Sequence, residues 1–115
     1  MPPETLKFVF DIREAAVLIE QFTKGKSVAD YVSDVLLRSA VERQFTVLGE
    51  ALAQALKVDP SLGERISNAR QICNFRNVLI HGYAVVRHDT VWGVIESHLP
   101  ILLNETRQIL DEEDL

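Results

Sequence analysis

The chain has 115 residues, 47% apolar and 25% charged, with 17 Asp and Glu against 12 Lys and Arg and a formal net charge of −5. That length supports one core rather than two, and only 5 Gly and 4 Pro exclude a disordered or loop-built protein. An acidic surface repels duplex nucleic acid except at a local basic patch. The lone Cys73 excludes an internal disulfide, no Cys/His spacing resembles a zinc site, and neither a membrane span nor a signal-like start is legible.

The expectation is therefore a cytoplasmic protein, 1–115 forming one domain, with no membrane association and no cofactor. Its first helix starts near Pro3 or Glu4. Phe8, Ile12, Ala15, Ile19 and Phe22 recur at spacings of four and three and form one apolar stripe. It stops before Lys24-Gly25-Lys26, where Gly25 can take a left-handed cap conformation.

Ser27 and Asp30 predict a capped start for a second helix, the hydroxyl accepting from a free amide and the carboxylate near the positive dipole end. Val28, Val32, Val35, Val41, Phe45, Leu48, Leu52 and Leu56 carry that helix to about Lys57. Gly49 interrupts it at a cost of about 1 kcal/mol relative to Ala. Close approach of a neighbouring helix is the reason expected.

Asp59-Pro60 fits a cap followed by a first-turn proline, so a third helix is predicted from there toward Ile80, ending near Gly82. Asp89 is placed as the cap of a fourth, with Trp92, Ile95, Leu99, Leu102, Thr106 and Ile109 as its stripe. Pro100 is expected to kink it by removing a donor and crowding the Glu96 carbonyl. The tail from Asp111 to Asp114 puts carboxylates at the wrong end of a helix, which predicts fraying. No strand-like alternation is sustained. The fold class expected is all-α, an antiparallel helix bundle, and stripes this apolar favour self-association.

Chemistry concentrates between Arg65 and His88. This run holds four arginines and two of the three histidines but no Asp or Glu; the rest of the chain sets 8 Lys and Arg against all 17 acids. Within it, Arg76-Asn77-Val78-Leu79-Ile80-His81-Gly82-Tyr83 joins a permanent cation, an imidazole and a phenol. On one helix Asn77 and His81 are neighbours, and Arg76 and Tyr83 fall near one line, so the four are expected on one broad half, with Val78 and Leu79 facing the core.

Metal-free RNA cleavage suits this set. His81 takes the proton of a ribose 2′-hydroxyl or protonates the leaving oxygen, Arg76 stabilises charge on the phosphoryl oxygens, and Asn77 holds the imidazole or a phosphate. A single histidine is poorly suited to act as base and acid at once; two copies meeting across a two-fold axis supply both. Arg70 and Arg87 could extend the patch. The same residues also admit a plain reading: His81 as a C-terminal helix cap, Tyr83 as a core aromatic, and the basic run as a solvated face.

Arg76, four residues, His81, one residue, Tyr83 resembles the Arg-x4-His-x-Tyr pattern of the HepT-like branch of the HEPN domain families. The stretch from Arg43 to Gly49-Glu50-Ala51, and Val91-Trp92 with Leu99-Pro100, are similar to that family's second and last helices. The likeness covers nearly the whole chain. One departure is the Asp59-Pro60-Ser61-Leu62-Gly63 approach to the motif helix, where many relatives have a Pro-x-x-Pro-Trp-like segment.

The resemblance implies a four- to five-helix bundle, a homodimer with motif helices facing each other, and endoribonuclease activity assigned to Arg76 and His81. It also implies a toxin–antitoxin pair of type VII-like organisation, in which a minimal nucleotidyltransferase partner transfers AMP to Tyr83. An AMP group there would add bulk and negative charge beside His81 and Arg76. The alternative is a non-catalytic nucleotide-binding or docking subunit of the nucleotidyltransferase; association beyond a dimer is left open. Arg43 and Glu50, seven apart, are expected to form a structural ion pair or interface contact, with orientation of the motif as the lesser reading. His98 is expected at the surface or an interface, His88 at the start of the fourth helix, and Cys73 in the core. Lys24, Lys26 and Lys57 read as solvated loop flanks.

Overall fold

The computed structural model describes residues 1–113, without the side chain of Tyr83. Among these residues there are six α-helices and no strand: α1 (Pro3–Thr23), α2 (Val28–Ser33), α3 (Val35–Val58), α4 (Ala69–His81), α5 (His88–Ser97) and α6 (Leu99–Glu113). Short 3₁₀ turns cover Pro60–Glu64 and Tyr83–Val85. Helix α1 lies along α3 and against α6, α4 packs on α3, and α5 joins α2 to α6. The all-α bundle is as expected, and so is an interruption of the last predicted helix near Pro100; the breaks at Asp34 and before Ala69 are not.

Helix α1 keeps its predicted limits. Val9, Ile12, Ala15, Ala16 and Ile19 are buried, each large side chain contributing about 1.5–3 kcal/mol. Gly25, at φ +75°, occupies the third position of a type II turn closed by the Lys26 amide donating to the Thr23 carbonyl. It serves the turn after the helix rather than a left-handed cap on it.

The predicted second helix is two helices. Ser27 and Asp30 form a reciprocal capping box, and the Ser27 amide and hydroxyl hold the Asp30 carboxyl below its usual range. At Asp34 the backbone turns extended and the side chain accepts from the Leu37 amide, starting α3 afresh. The turn lets Tyr31 bury fully against α5, 5.5 Å from the Trp92 ring and edge-on to His88. Val28, Val32 and Val35 consequently stand exposed, contrary to the stripe assigned to them; the core stripe begins at Leu37 and Val41.

The buried Tyr31 hydroxyl has no hydrogen-bond partner. Burial, with a smaller push from Glu42 against a pull from Arg38, raises the phenol well above the usual tyrosine range. A raised folded value means that this stability is complete below about pH 10, the unfolded value, and is lost as pH climbs from there. Tyr31→Phe is expected to raise stability by about 1 kcal/mol by removing an unsatisfied buried group. It should also blunt the alkaline loss; denaturant unfolding at pH 7 and above pH 10 checks both.

The predicted third helix also begins later. Leu62 and Ile66 plug the core, and α6 captures the segment between them and α4. Glu105 accepts from the Ser67 amide and hydroxyl, at 2.9 and 2.7 Å, and Arg65 pairs with Glu112 at 2.8 Å. Asn68 takes a left-handed conformation at φ 58°, and α4 starts from it. The carboxylates of the tail have partners of their own, and α6 stays helical to Glu113 against the fraying expected. Asp111 pairs with Arg107 one turn back in α6, and the tertiary partners of Glu112 (Arg65) and of Glu113 (the N-terminal ammonium, at 2.9 Å) offset the unfavourable dipole. Asp114 lies outside the described residues.

The fourth predicted helix is α5 and α6 in sequence, interrupted at His98 two residues before Pro100, where the lost donor falls in the first turn of α6. Its stripe from Trp92 to Ile109 is buried as expected. Asp89 is not the cap: it lies inside the first turn and is paired with Arg87. No described helix is long and apolar enough to cross a membrane.

Candidate functional site

Helix α4 meets the core through Ala69, Ile72, Cys73 and Leu79, a stripe whose remaining position is Arg76. An arginine at a core-facing position requires space on the facing helix, and Gly49 supplies it. A Cβ at position 49 would lie 2.5 Å from the Arg76 Cβ and 2.7 Å from its Cγ. The close approach expected of Gly49 is therefore made by the stem of Arg76 itself.

Past that notch the guanidinium reaches Glu50, its Nη1 donating to Oε2 at 2.6 Å. The other carboxylate oxygen accepts from the Gln54 amide at 3.0 Å. Nε of Arg76 is buried without a partner, and the side chain as a whole is 20% exposed. Sequence reasoning assigned Glu50 first to Arg43; the structure gives it to Arg76. The signal was present, because a glycine in mid-helix marks where another helix comes close, and Glu50 is its neighbour.

Asn77 and His81 are not buried on α4, and Val78, which was expected in the core, is exposed. Arg76 thus faces α3 while Asn77 and His81 lie off that contact, so these three motif residues do not share one open half. His81 is the last residue of α4, and Gly82 closes the helix by donating to the Val78 carbonyl at 2.8 Å. Tyr83 begins the following 3₁₀ turn; its side chain, the predicted AMP acceptor, is outside the description.

The surrounding charges sort themselves. Arg87 is neutralised by Asp89 at 2.9 Å, so it adds little to the patch; Arg70 is exposed beside the start of α4. Arg43 lines a groove between α1 and α3 with Asp11, Glu14 and Glu50. Burial pushes the Cys73 thiol up, outweighing Arg76 and Arg70, which keeps it protonated and a poor nucleophile. His88 heads α5 with Nδ1 buried, while His98 is exposed, its Nδ1 2.7 Å from the Ser97 hydroxyl. Among the described residues no group of three or more His, Cys, Asp or Glu is gathered as a metal site. Among the described residues, five well-formed grooves are lined by residues other than Arg76 and His81.

The profile of the family described as "Ribonuclease HepT-like" matches residues 12–109. Among similar proteins, "Putative RNase TTE0752" of Caldanaerobacter subterraneus subsp. tengcongensis is 32% identical over 104 residues, covering 89% of each chain. "Probable ribonuclease HepT" of Thermococcus cleftensis is 30% identical over 95 residues, covering 83% of this chain and 86% of its own. "Putative RNase MJ1380" of Methanocaldococcus jannaschii is 26% identical over 100 residues, 85% and 89% of the two chains. No solved structure matches significantly. With the Arg76/His81 helix seated on the Gly49 notch and the family profile spanning nearly all of the bundle, the chain belongs to the HepT-like ribonuclease family of HEPN domains.

Proposed function

We propose that this protein is an endoribonuclease working as a homodimer, with Arg76 and His81 as its catalytic residues and Asn77 in support. The observation that carries the reading is the pairing on α4 of a guanidinium held by Glu50 with a solvent-open imidazole one helical turn and a residue further on. Family membership and relatives named as RNases support RNA as the substrate.

In one protomer of the dimer His81 removes the 2′-hydroxyl proton, and the 2′-oxygen forms a bond to phosphorus. The bond from phosphorus to the 5′-oxygen breaks, and the partner copy's imidazole supplies that oxygen with a proton. Arg76 stabilises the charge gathering on the non-bridging oxygens. Exposed Val78, Ile80 and Val85 beside the motif offer the apolar contact such a pairing needs. The test is RNA cleavage by the purified chain in EDTA. The parent should cut and the Arg76→Ala and His81→Ala chains should cut far more slowly, with a measurable residual rate; equal cutting by all three overturns the assignment.

The cell would hold this nuclease as the toxin of a toxin–antitoxin pair. The partner is a minimal nucleotidyltransferase that transfers AMP from ATP to Tyr83. The phenol oxygen bonds to the α-phosphorus, pyrophosphate leaves, and the added phosphate sits in the same short segment as His81. Intact-mass measurement after incubation with such an enzyme and ATP-Mg²⁺ should show AMP increments that vanish in Tyr83→Phe. Increments retained by Tyr83→Phe would place the acceptor elsewhere.

One observation favours a second reading, a non-catalytic nucleotide-binding or docking subunit of that nucleotidyltransferase. Phe45, Leu48, Ile72, Phe75, Val94 and Leu99 line an almost wholly apolar groove of about 200 Å³ between α3, α4, α5 and α6. Tight binding to the nucleotidyltransferase without any RNA cleavage would favour docking over catalysis.

A further inference from the structure

We propose that Glu50 is the positioning residue of the site: with Gln54 behind it and Gly49 beneath the arginine stem, it fixes the Arg76 guanidinium in the orientation that meets phosphate. This rests on the nuclease reading and extends it to a residue outside the Arg-x4-His-x-Tyr motif.

Two neighbouring residues of α3 meet Arg76, and a third, one turn on, holds the second of them. The Gly49 notch fixes Cβ and Cγ. Glu50 Oε2 accepts from Nη1 at 2.6 Å, and Gln54 donates to Oε1 at 3.0 Å, so the carboxylate is held from both sides. A flexible arginine would lose side-chain entropy each time it clamped a phosphate; one already held loses less.

The donor inventory agrees. Of five guanidinium hydrogens, the one on Nε is buried without a partner and one on Nη1 is given to Glu50, leaving the second on Nη1 and the two on Nη2. Sequestering one edge narrows how a phosphate can bind. An ion pair this exposed, with Glu50 50% open, contributes little to stability. Its value lies in orientation rather than in holding the fold.

Glu50→Ala is expected to lower kcat about 10- to 100-fold, the scale on which small misplacements of a catalytic group are felt, with little change in KM or Tm. Glu50→Gln keeps an oxygen that accepts from Nη1 and should recover most of the loss. In an Arg76→Ala background Glu50→Ala should cost nothing further, because residues acting through one group are non-additive. A parental rate for Glu50→Ala, or the same fractional loss with and without Arg76, overturns the proposal.

If the parent cuts no RNA, the nuclease reading fails by itself and the positioning is decided by NMR of the arginine side chains. Distinct, slowly exchanging Arg76 Nη signals that merge in Glu50→Ala support the hold. Identical signals in both chains refute it.

Discussion

His81→Ala is expected to slow RNA cleavage about 100- to 10,000-fold, the range over which a positioned acid or base accelerates proton transfer. The loss should be chemical, not structural. His81 is exposed at the end of α4, and the helix is closed there by the Gly82 amide, which the substitution leaves in place. Circular dichroism and Tm should therefore barely move. If each protomer provides one of two required imidazoles, parent mixed and re-equilibrated with an equal amount of the His81→Ala chain should keep about one quarter of the parental activity per chain pair, the fraction of dimers with both copies intact. Retention of about half would mean each protomer works alone and would sink the shared-cleft mechanism.

Gly49→Ala should disturb stability and activity together. The new methyl group would lie 2.5 Å from the Arg76 Cβ and 2.7 Å from its Cγ, with the Arg76 Cα at 3.7 Å. These atoms are the root of the side chain, so no rotamer change removes the Cβ clash and α4 has to shift. Overpacking of this kind costs about 1–3 kcal/mol, and the better helix propensity of alanine offsets about 1 kcal/mol. A net loss of up to about 2 kcal/mol in denaturant unfolding follows, with a fall in cleavage of about 10- to 100-fold because the guanidinium moves with its helix. An alanine variant more stable than the parent would show that the notch is not closed in solution.

The two substitutions separate two kinds of information in the chain. His81 was legible as chemistry because a histidine near an arginine in an acid-free run needs no tertiary knowledge to be noticed. Gly49 was legible as a structural demand, since a mid-helix glycine asks for a neighbour. Which side chain filled the notch was not legible: periodicity places Arg76 on the Ala69–Leu79 stripe only after the third helix is known to start at Ala69 and not near Pro60. The same blind spot sent Glu50 to Arg43. Residues seven apart share a helix face, but a carboxylate pairs with the cation that the packing brings nearest.

The amino-acid order alone determined the all-helical class, the limits of α1, the Ser27 capping box, the buried run from Trp92 to Ile109 and the family. Each rests on short-range spacing or on local hydrogen bonding that a one-dimensional reading can follow. Only the tertiary structure decided where helices break and which charges meet. Tyr31 buries only if the backbone turns at Asp34, α4 waits until Asn68 because Glu105 and Glu112 hold the preceding segment, and Arg76 finds Glu50 because Gly49 lets two helices touch. Such partners are tens of residues apart in the chain, and the free energy that selects them exists only once the helices have packed.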